Sequence, residues 1–198
     1  AKLAINTLTK NLHLKIKEFV TVNFETVKTV VDAIGGVNIT VTSAEASKIP
    51  NIDTEGTYNL NGEQALVYSR IRKIDSDYKR TERMRTVLTA VFEKAKTMSV
   101  AKLNSLADII LPHVSTNISQ SEIFSLLPQV VSYNITNSIG WPYEVRAYTT
   151  PIWYGAPVTL ESNVKKLHQE VFGEEDYEVS DTVKEISNKI INRTGYSK

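Results

Sequence analysis

"YSRIRKIDSDYKRTERMR", residues 68–85, holds seven Lys and Arg residues against three acids, a local excess of +4 in a 198-residue chain whose formal net charge is +1. What carries these bases decides the fold. The preceding "ALVYSRI" (65–71) reads as a strand emerging from a core. After a short polar gap, Ser76 or Asp77 reads as the N-cap of a helix. Its apolar positions Met84, Val87, Leu88, Val91 and Ala95 recur at helical spacing and run to about Met98.

On this reading Arg70 and Arg72, two apart on a strand, project to the same side. Arg80 falls in the first helical turn on the stripe of Met84, Val87 and Val91, Arg83 is its neighbour three residues on, and Arg85 points away. Cations in a first turn oppose the helix dipole. A multiply charged anion relieves both that opposition and their mutual repulsion, and phosphate or pyrophosphate suits the bidentate geometry of arginine best. A structural salt-bridge network with Asp75, Asp77 and Glu82 is the alternative, although three acids do not neutralise seven bases.

Outward from this stretch, "IKEFVTVNF" (16–24) is β-branched and aromatic and predicts a strand. Val27, Val30, Val31 and Ile34 stripe one face of a following helix that Gly35 and Gly36 end. "VNITVT" (37–42) alternates at period two, another strand. Strand, helix and strand suggest an α/β crossover unit. A long Gly- and Asn-rich connection then leads to residue 65. Beyond residue 98 the spacing predicts helices in "VAKLNSLADIILPHV", "SQSEIFSLLPQVVSY", "ESNVKKLHQEVF" and "SDTVKEISNKIIN", with short strands and loops around the Trp- and Tyr-rich 139–160. The class is α/β, a layered α-β-α arrangement with a central mixed β-sheet flanked by helices, and residues 1–198 read as a single domain.

Composition narrows the chemistry. With no Cys, the chain has neither disulfides nor a thiolate nucleophile, and His13, His113 and His168 have no metal-ligand spacing and read as surface or satisfied residues. Trp141, Tyr143, Tyr148, Trp153 and Tyr154 have rings able to stack on a sugar, but aromatics in such segments usually pack. The basic stretch leads into an apolar stripe rather than a solvated reading helix, and the pI is about 8.1, so nucleic acid is not the expected partner. No run reaches the roughly 18 apolar residues of a membrane span. The opening helix, "AKLAINTLTKNLHL", has no capping residue before Leu3, so the chain reads as a piece of a longer protein.

The order Y-x-R-x-R, a polar gap and D-Y-x-R-x-x-R, following "VNFETVKTVVDAIGGVNITV" and "YNLNGEQAL" and preceding "TNIS" at 116–119, resembles the LytR-CpsA-Psr family of Gram-positive cell-envelope proteins. The likeness covers roughly residues 1–135 and is looser in the last 60. It implies a catalytic domain held outside the cell, at the membrane, by an N-terminal anchor missing here. It implies transfer of a teichoic acid, capsular or similar glycopolymer from a polyprenyl-pyrophosphate carrier to a peptidoglycan acceptor, with Mg²⁺ at the pyrophosphate. Arg70, Arg72, Arg80 and Arg83 would grip the pyrophosphate, Asp77 would orient an arginine or assist the acceptor, and Met84, Leu88 and Val91 would wall a tunnel for the lipid.

Two departures accompany the resemblance. Met84 stands where the family usually has Gln after the second arginine. The family's first strands, with an Asp pair that helps hold Mg²⁺ and a further phosphate-binding Arg, would lie upstream of residue 1. Members also carry labels as transcriptional attenuators. A non-catalytic polyprenyl-phosphate binder and a transcriptional regulator are therefore the alternative functions.

Overall fold

The structure, a computed structural model, describes residues 1–148 and 154–197. Its helices are α1 (Lys2–Leu12), α2 (Phe24–Ala33), α3 (Ser43–Ala46), α4 (Gly62–Arg70), α5 (Asp77–Lys96), α6 (Val100–Ile110), α7 (Gln120–Leu126), α8 (Leu160–Phe172) and α9 (Asp181–Thr194). The strands are β1 (Val20–Thr21), β2 (Val37–Val41), β3 (Gly56–Leu60), β4 (Ser115–Thr116), β5 (Val145–Tyr148) and β6 (Tyr154–Pro157). The α/β class stands. Its sheet component, among the described residues, is three antiparallel pairs, β1 with β4, β2 with β3 and β5 with β6, in place of one mixed sheet. β1 and β2 belong to different pairs, so the expected crossover unit is absent.

Two compact units result, residues 18–140 and residues 1–17 with 141–198. In the first, Asn23 caps α2 by accepting the Thr26 N–H at 2.8 Å, and Val27, Val31 and Ile34 turn inward. Gly36, at φ 84°, ends the helix where a Cβ would meet the Leu60 carbonyl at 2.9 Å. The chain then enters β2, whose Val37, Ile39 and Val41 face the core while Asn38 and Thr40 face water. β3 pairs with it in register from Val37 opposite Leu60 to Val41 opposite Gly56.

The segment read as a strand at 65–71 is helical. Asn61 and Gln64 form a capping box, each side chain satisfying the other's backbone N–H, and α4 starts there. Ala65, Tyr68 and Ser69 are buried at helical spacing, which no strand would give. α4 lies close to α2 because Gly62 lacks a Cβ: one would sit 2.4 Å from the Lys28 carbonyl. The Gly62 N–H donates to Asp32 Oδ1 at 2.7 Å across the same seam. Likewise only Val20–Thr21 of the predicted strand 16–24 pairs, and Phe24 already belongs to α2.

α5 packs on this assembly through Arg83 and the fully buried Val87, with Ala90 and Val91 partly buried beside them. Full burial of a side chain such as Val31 or Val87 contributes about 1.5–3 kcal/mol. The other unit has its own core of Leu12, Leu160, Val164, Val179 and Val183. His168 is buried there, bonded to Glu174 at 2.6 Å and to the Leu12 carbonyl at 3.0 Å, and stacked on Tyr177 at 3.5 Å. It is a satisfied core residue, as its spacing predicts. Trp153 lies outside the described residues.

Candidate functional site

α4 ends at Arg70, Ile71 drops into the core at 5% exposure, and the chain crosses to α5 through a loop in which Lys73 takes φ 65°. Ser76, not Asp77, is the cap of α5, and Asp77 is its first residue. Arg70 and Arg72 are therefore brought together by a helix end and a turn, not by strand alternation. Both line a cavity of about 490 Å³ with Arg80, Thr81 and Met84 of α5, Ser69 of α4 and Phe24 of α2.

Charge within this cavity is lopsided. Arg70 lies over the Phe24 ring at 4.8 Å, a cation–π contact, and has no carboxylate partner among the described residues. Arg72 is exposed and likewise forms no ion pair among them. Arg80 Nη1 is 3.4 Å from Asp77 Oδ1, an open pair of the kind that contributes little to stability. Three guanidinium groups thus share one concavity with a single acid beside it. Arg80 closes the first turn of α5 and Thr81 follows it, so the positive end of the helix dipole adds to the field. Asp77, about 70% exposed, stands beside Arg80.

Arg83 does not stand with them. Its side chain is 4% exposed, and its Nε donates to Glu45 Oε1 at 2.7 Å, its Nη1 to the Ile71 carbonyl at 3.2 Å and its Nη2 to Asp75. The expectation of a fourth phosphate-gripping arginine at the same point is corrected: this guanidinium is fully committed inside the protein. Burial alone would raise the Glu45 carboxyl pKa, but the Thr42 N–H and hydroxyl together with Arg83 overcome it and hold the group below its ordinary value. Tyr68 packs beside this network, and burial, with the Glu45 charge, pushes its phenol up. Arg83 pins both ends of the loop that presents Arg72, through Ile71 and Asp75.

The apolar stripe is rotated from its expected position. Arg83, Val87 and Val91 face the core, whereas Arg80 and Met84 face the cavity and Leu88 follows them one turn on, 49% exposed. Met84 alone of the three expected tunnel residues lines the cavity; Val91 packs against the core instead. Arg85, expected to face solvent, is half-buried, with an Nε that has no hydrogen-bond partner among the described residues. No group of three or more His, Cys, Asp or Glu side chains able to hold a metal occurs among the described residues.

Phe24, Ser69 and Thr81 were not anticipated as cavity residues. Asn23 followed by an acid at Glu25 is a helix-start pattern that would have moved Phe24 out of the strand. Nothing local marks Thr81.

Comparison with known proteins bears on the same residues. Biofilm regulatory protein A of Streptococcus mutans serotype c is 34% identical over 145 residues, 68% of this chain and 35% of that protein. The polyisoprenyl-teichoic acid–peptidoglycan teichoic acid transferase TagT of Bacillus subtilis is 31% identical over 153 residues, 72% of this chain and 48% of the transferase. The chain thus spans between about a third and a half of these relatives. In fold it is similar to the solved structure of TagT bound to LIIa-WTA, with a TM-score of 0.66 at 24% identity, covering 98% of this chain and 68% of that one. The LytR_cpsA_psr family model matches residues 1–162, a span that includes every residue of the arginine cavity, and the chain belongs to the LytR_cpsA_psr family.

Proposed function

We propose that this chain forms the pyrophosphate-gripping part of a glycopolymer transferase that moves a teichoic acid or related wall polysaccharide from a polyprenyl-pyrophosphate carrier to peptidoglycan. The observation that carries the reading is the single cavity on which Arg70, Arg72 and Arg80 meet Phe24 and Met84. A lipid pyrophosphate is multiply anionic at one end and apolar at the other, and this lining matches both. The curated name of the TagT relative supports the substrate class.

In the proposed reaction an acceptor hydroxyl oxygen attacks the glycan-bearing phosphorus. A new P–O bond forms, the bond from that phosphorus to the bridging oxygen breaks, and polyprenyl phosphate leaves with the bonding pair. Charge accumulates on the leaving phosphate, where guanidinium groups already in place stabilise it without reorganisation. Asp77 holds Arg80 in orientation, and the hydroxyl proton passes to solvent or to Asp77. Mg²⁺, which the family resemblance implies, would neutralise part of the pyrophosphate charge. The described residues do not by themselves provide a cage for it, so no step here depends on it.

The residues 1–198 are proposed to be part of one catalytic domain on the outer face of the cell membrane, anchored by a segment beyond them. No helix of the described residues is long and apolar enough to cross a membrane.

The test uses the full-length protein with a polyprenyl-pyrophosphate-linked glycopolymer and peptidoglycan. Arg80→Ala should reduce transfer and polyprenyl phosphate release about ten- to a hundredfold, the worth of one charge-assisted phosphate contact, with the melting temperature unchanged. Tight binding of the lipid pyrophosphate without any transfer would leave a carrier-binding protein instead.

A further inference from the structure

We propose that a second cavity, sharing the Arg70 and Arg72 wall with the first, binds a phosphorylated sugar or polyol unit of the chain being transferred. This rests on the transferase reading above and names where the polymer, rather than its carrier, is held. The cavity measures about 560 Å³, within the usual range of ligand sites. Its polar lining is Glu25 and Lys28 of α2, Lys48 after α3, Glu63 and Arg70 of α4, and Arg72.

Four cations and two carboxylates face this space. Lys28 reaches Glu25 only at 3.9 Å, with both side chains well exposed, and Lys48, Glu63 and Arg72 make no ion pair among the described residues. A solvated surface would put such charges on separate, mobile stems. Here Lys28 and Glu63 flank the seam where Gly62 lets α4 approach the Lys28 carbonyl, so the frame that carries them is fixed by close backbone contact.

The mixture of signs specifies the ligand. Lysine and arginine suit a phosphodiester, and carboxylates suit hydroxyl groups, which donate hydrogen bonds that phosphate oxygens cannot. A second bare pyrophosphate would be repelled by Glu25 and Glu63. A unit bearing both phosphate and hydroxyls uses all six groups. Because Arg70 and Arg72 line both cavities, an anion held at these arginines in the first borders the second, where the next unit of a phosphate-containing polymer would lie.

Three probes and the full-length protein decide the matter: polyprenyl pyrophosphate, the same lipid carrying a poly(glycerol phosphate) oligomer, and the free oligomer. Wild type should bind the oligomer-bearing lipid more tightly than the bare lipid. In Lys28→Ala/Lys48→Ala that advantage should fall about tenfold, two exposed cation contacts, while bare-lipid affinity stays as in wild type. Arg80→Ala should weaken both lipids equally.

Equal loss for both lipids, or none for either, overturns the second cavity. So does a double variant whose only defect is a raised KM for peptidoglycan, since the cavity would then belong to the acceptor. Free oligomer bound in a manner dependent on Lys28 and Lys48, with neither lipid bound at the arginines, would uphold this cavity and overturn the transferase reading. Absence of all binding overturns both.

Discussion

Replacing Arg83 by Met separates a residue that holds the site from residues that hold a ligand. The side chain is 4% exposed and donates to Glu45, to Asp75 and to the Ile71 carbonyl. Met keeps the apolar stem but stops short of the guanidinium and removes the charge, leaving Glu45, 12% exposed, with only its Thr42 hydrogen bonds. Breaking one side of a buried ion pair costs about 3–5 kcal/mol. The Asp75 side chain is 31% exposed and recovers water, so the lower figure applies here. At about 2–4 °C per kcal/mol for a chain of this size, the melting temperature should fall by roughly 6–12 °C. Calorimetry or circular dichroism reads this directly.

The acid limb of stability should move as well. A depressed Glu45 carboxyl stabilises the fold above its unfolded value, 4.5, and that contribution is lost as pH falls through the lower folded value. Without Arg83 the remaining burial pushes the carboxyl up, so protonating Glu45 relieves part of the cost and the stability gap between variant and wild type should narrow as pH falls through that raised value. Glu45→Gln added to Arg83→Met should restore part of the loss, because no uncompensated charge is then left inside. The reasoning is refuted if Arg83→Met melts within about 2 °C of wild type while losing pyrophosphate binding as Arg80→Ala does. Arg83 would then face the ligand.

Two substitutions test the frame beneath both cavities. Gly62→Ala forces a Cβ to within 2.4 Å of the Lys28 carbonyl and should cost about 1–3 kcal/mol, read by chemical denaturation; an unchanged midpoint would show that α2 and α4 are not locked there. Asn61→Ala removes the cap of α4 and should cost about 1 kcal/mol with no change in cavity chemistry, so pyrophosphate affinity measured well below the melting transition should match wild type.

Where periodicity is local, the sequence announces the structure. Val27, Val31 and Ile34 mark α2, and the alternation of Val37, Ile39 and Val41 marks β2; each pattern is complete within one element. Residues 65–71 mislead because Ala65, Leu66 and Val67 form a short apolar run that suits a strand or a buried helix equally. The Asn61–Gln64 capping box, four residues upstream, resolves it. That error altered the reason for the meeting of Arg70 and Arg72 but not the meeting itself. For Arg83 the local stretch offered only Asp75, eight residues away; its second carboxylate partner, Glu45, lies 38 residues away and outside any local pattern. Lys28 and Lys48 are invisible for the same reason: they reach the arginines only after α2 and α3 have packed.

The competing readings of the basic stretch turn out to describe different arginines. All three of its acids are paired within it, Asp75 with Arg83, Asp77 with Arg80 and Glu82 with Lys79. The most buried of these pairs, with Glu45 added, fastens the loop to the core. Among the described residues Arg70 and Arg72 form no ion pair, and they are the two residues common to both cavities. Their repulsion in the empty protein raises its free energy by an amount that an anion can recover on binding, provided the loop does not simply relax outward. Arg83 prevents that relaxation by holding the Ile71 carbonyl and Asp75 on either side of Arg72. The buried ion pair therefore serves the exposed cations: it fastens the loop that carries Arg72, so that Arg72 stays beside Arg70 on the wall of both cavities.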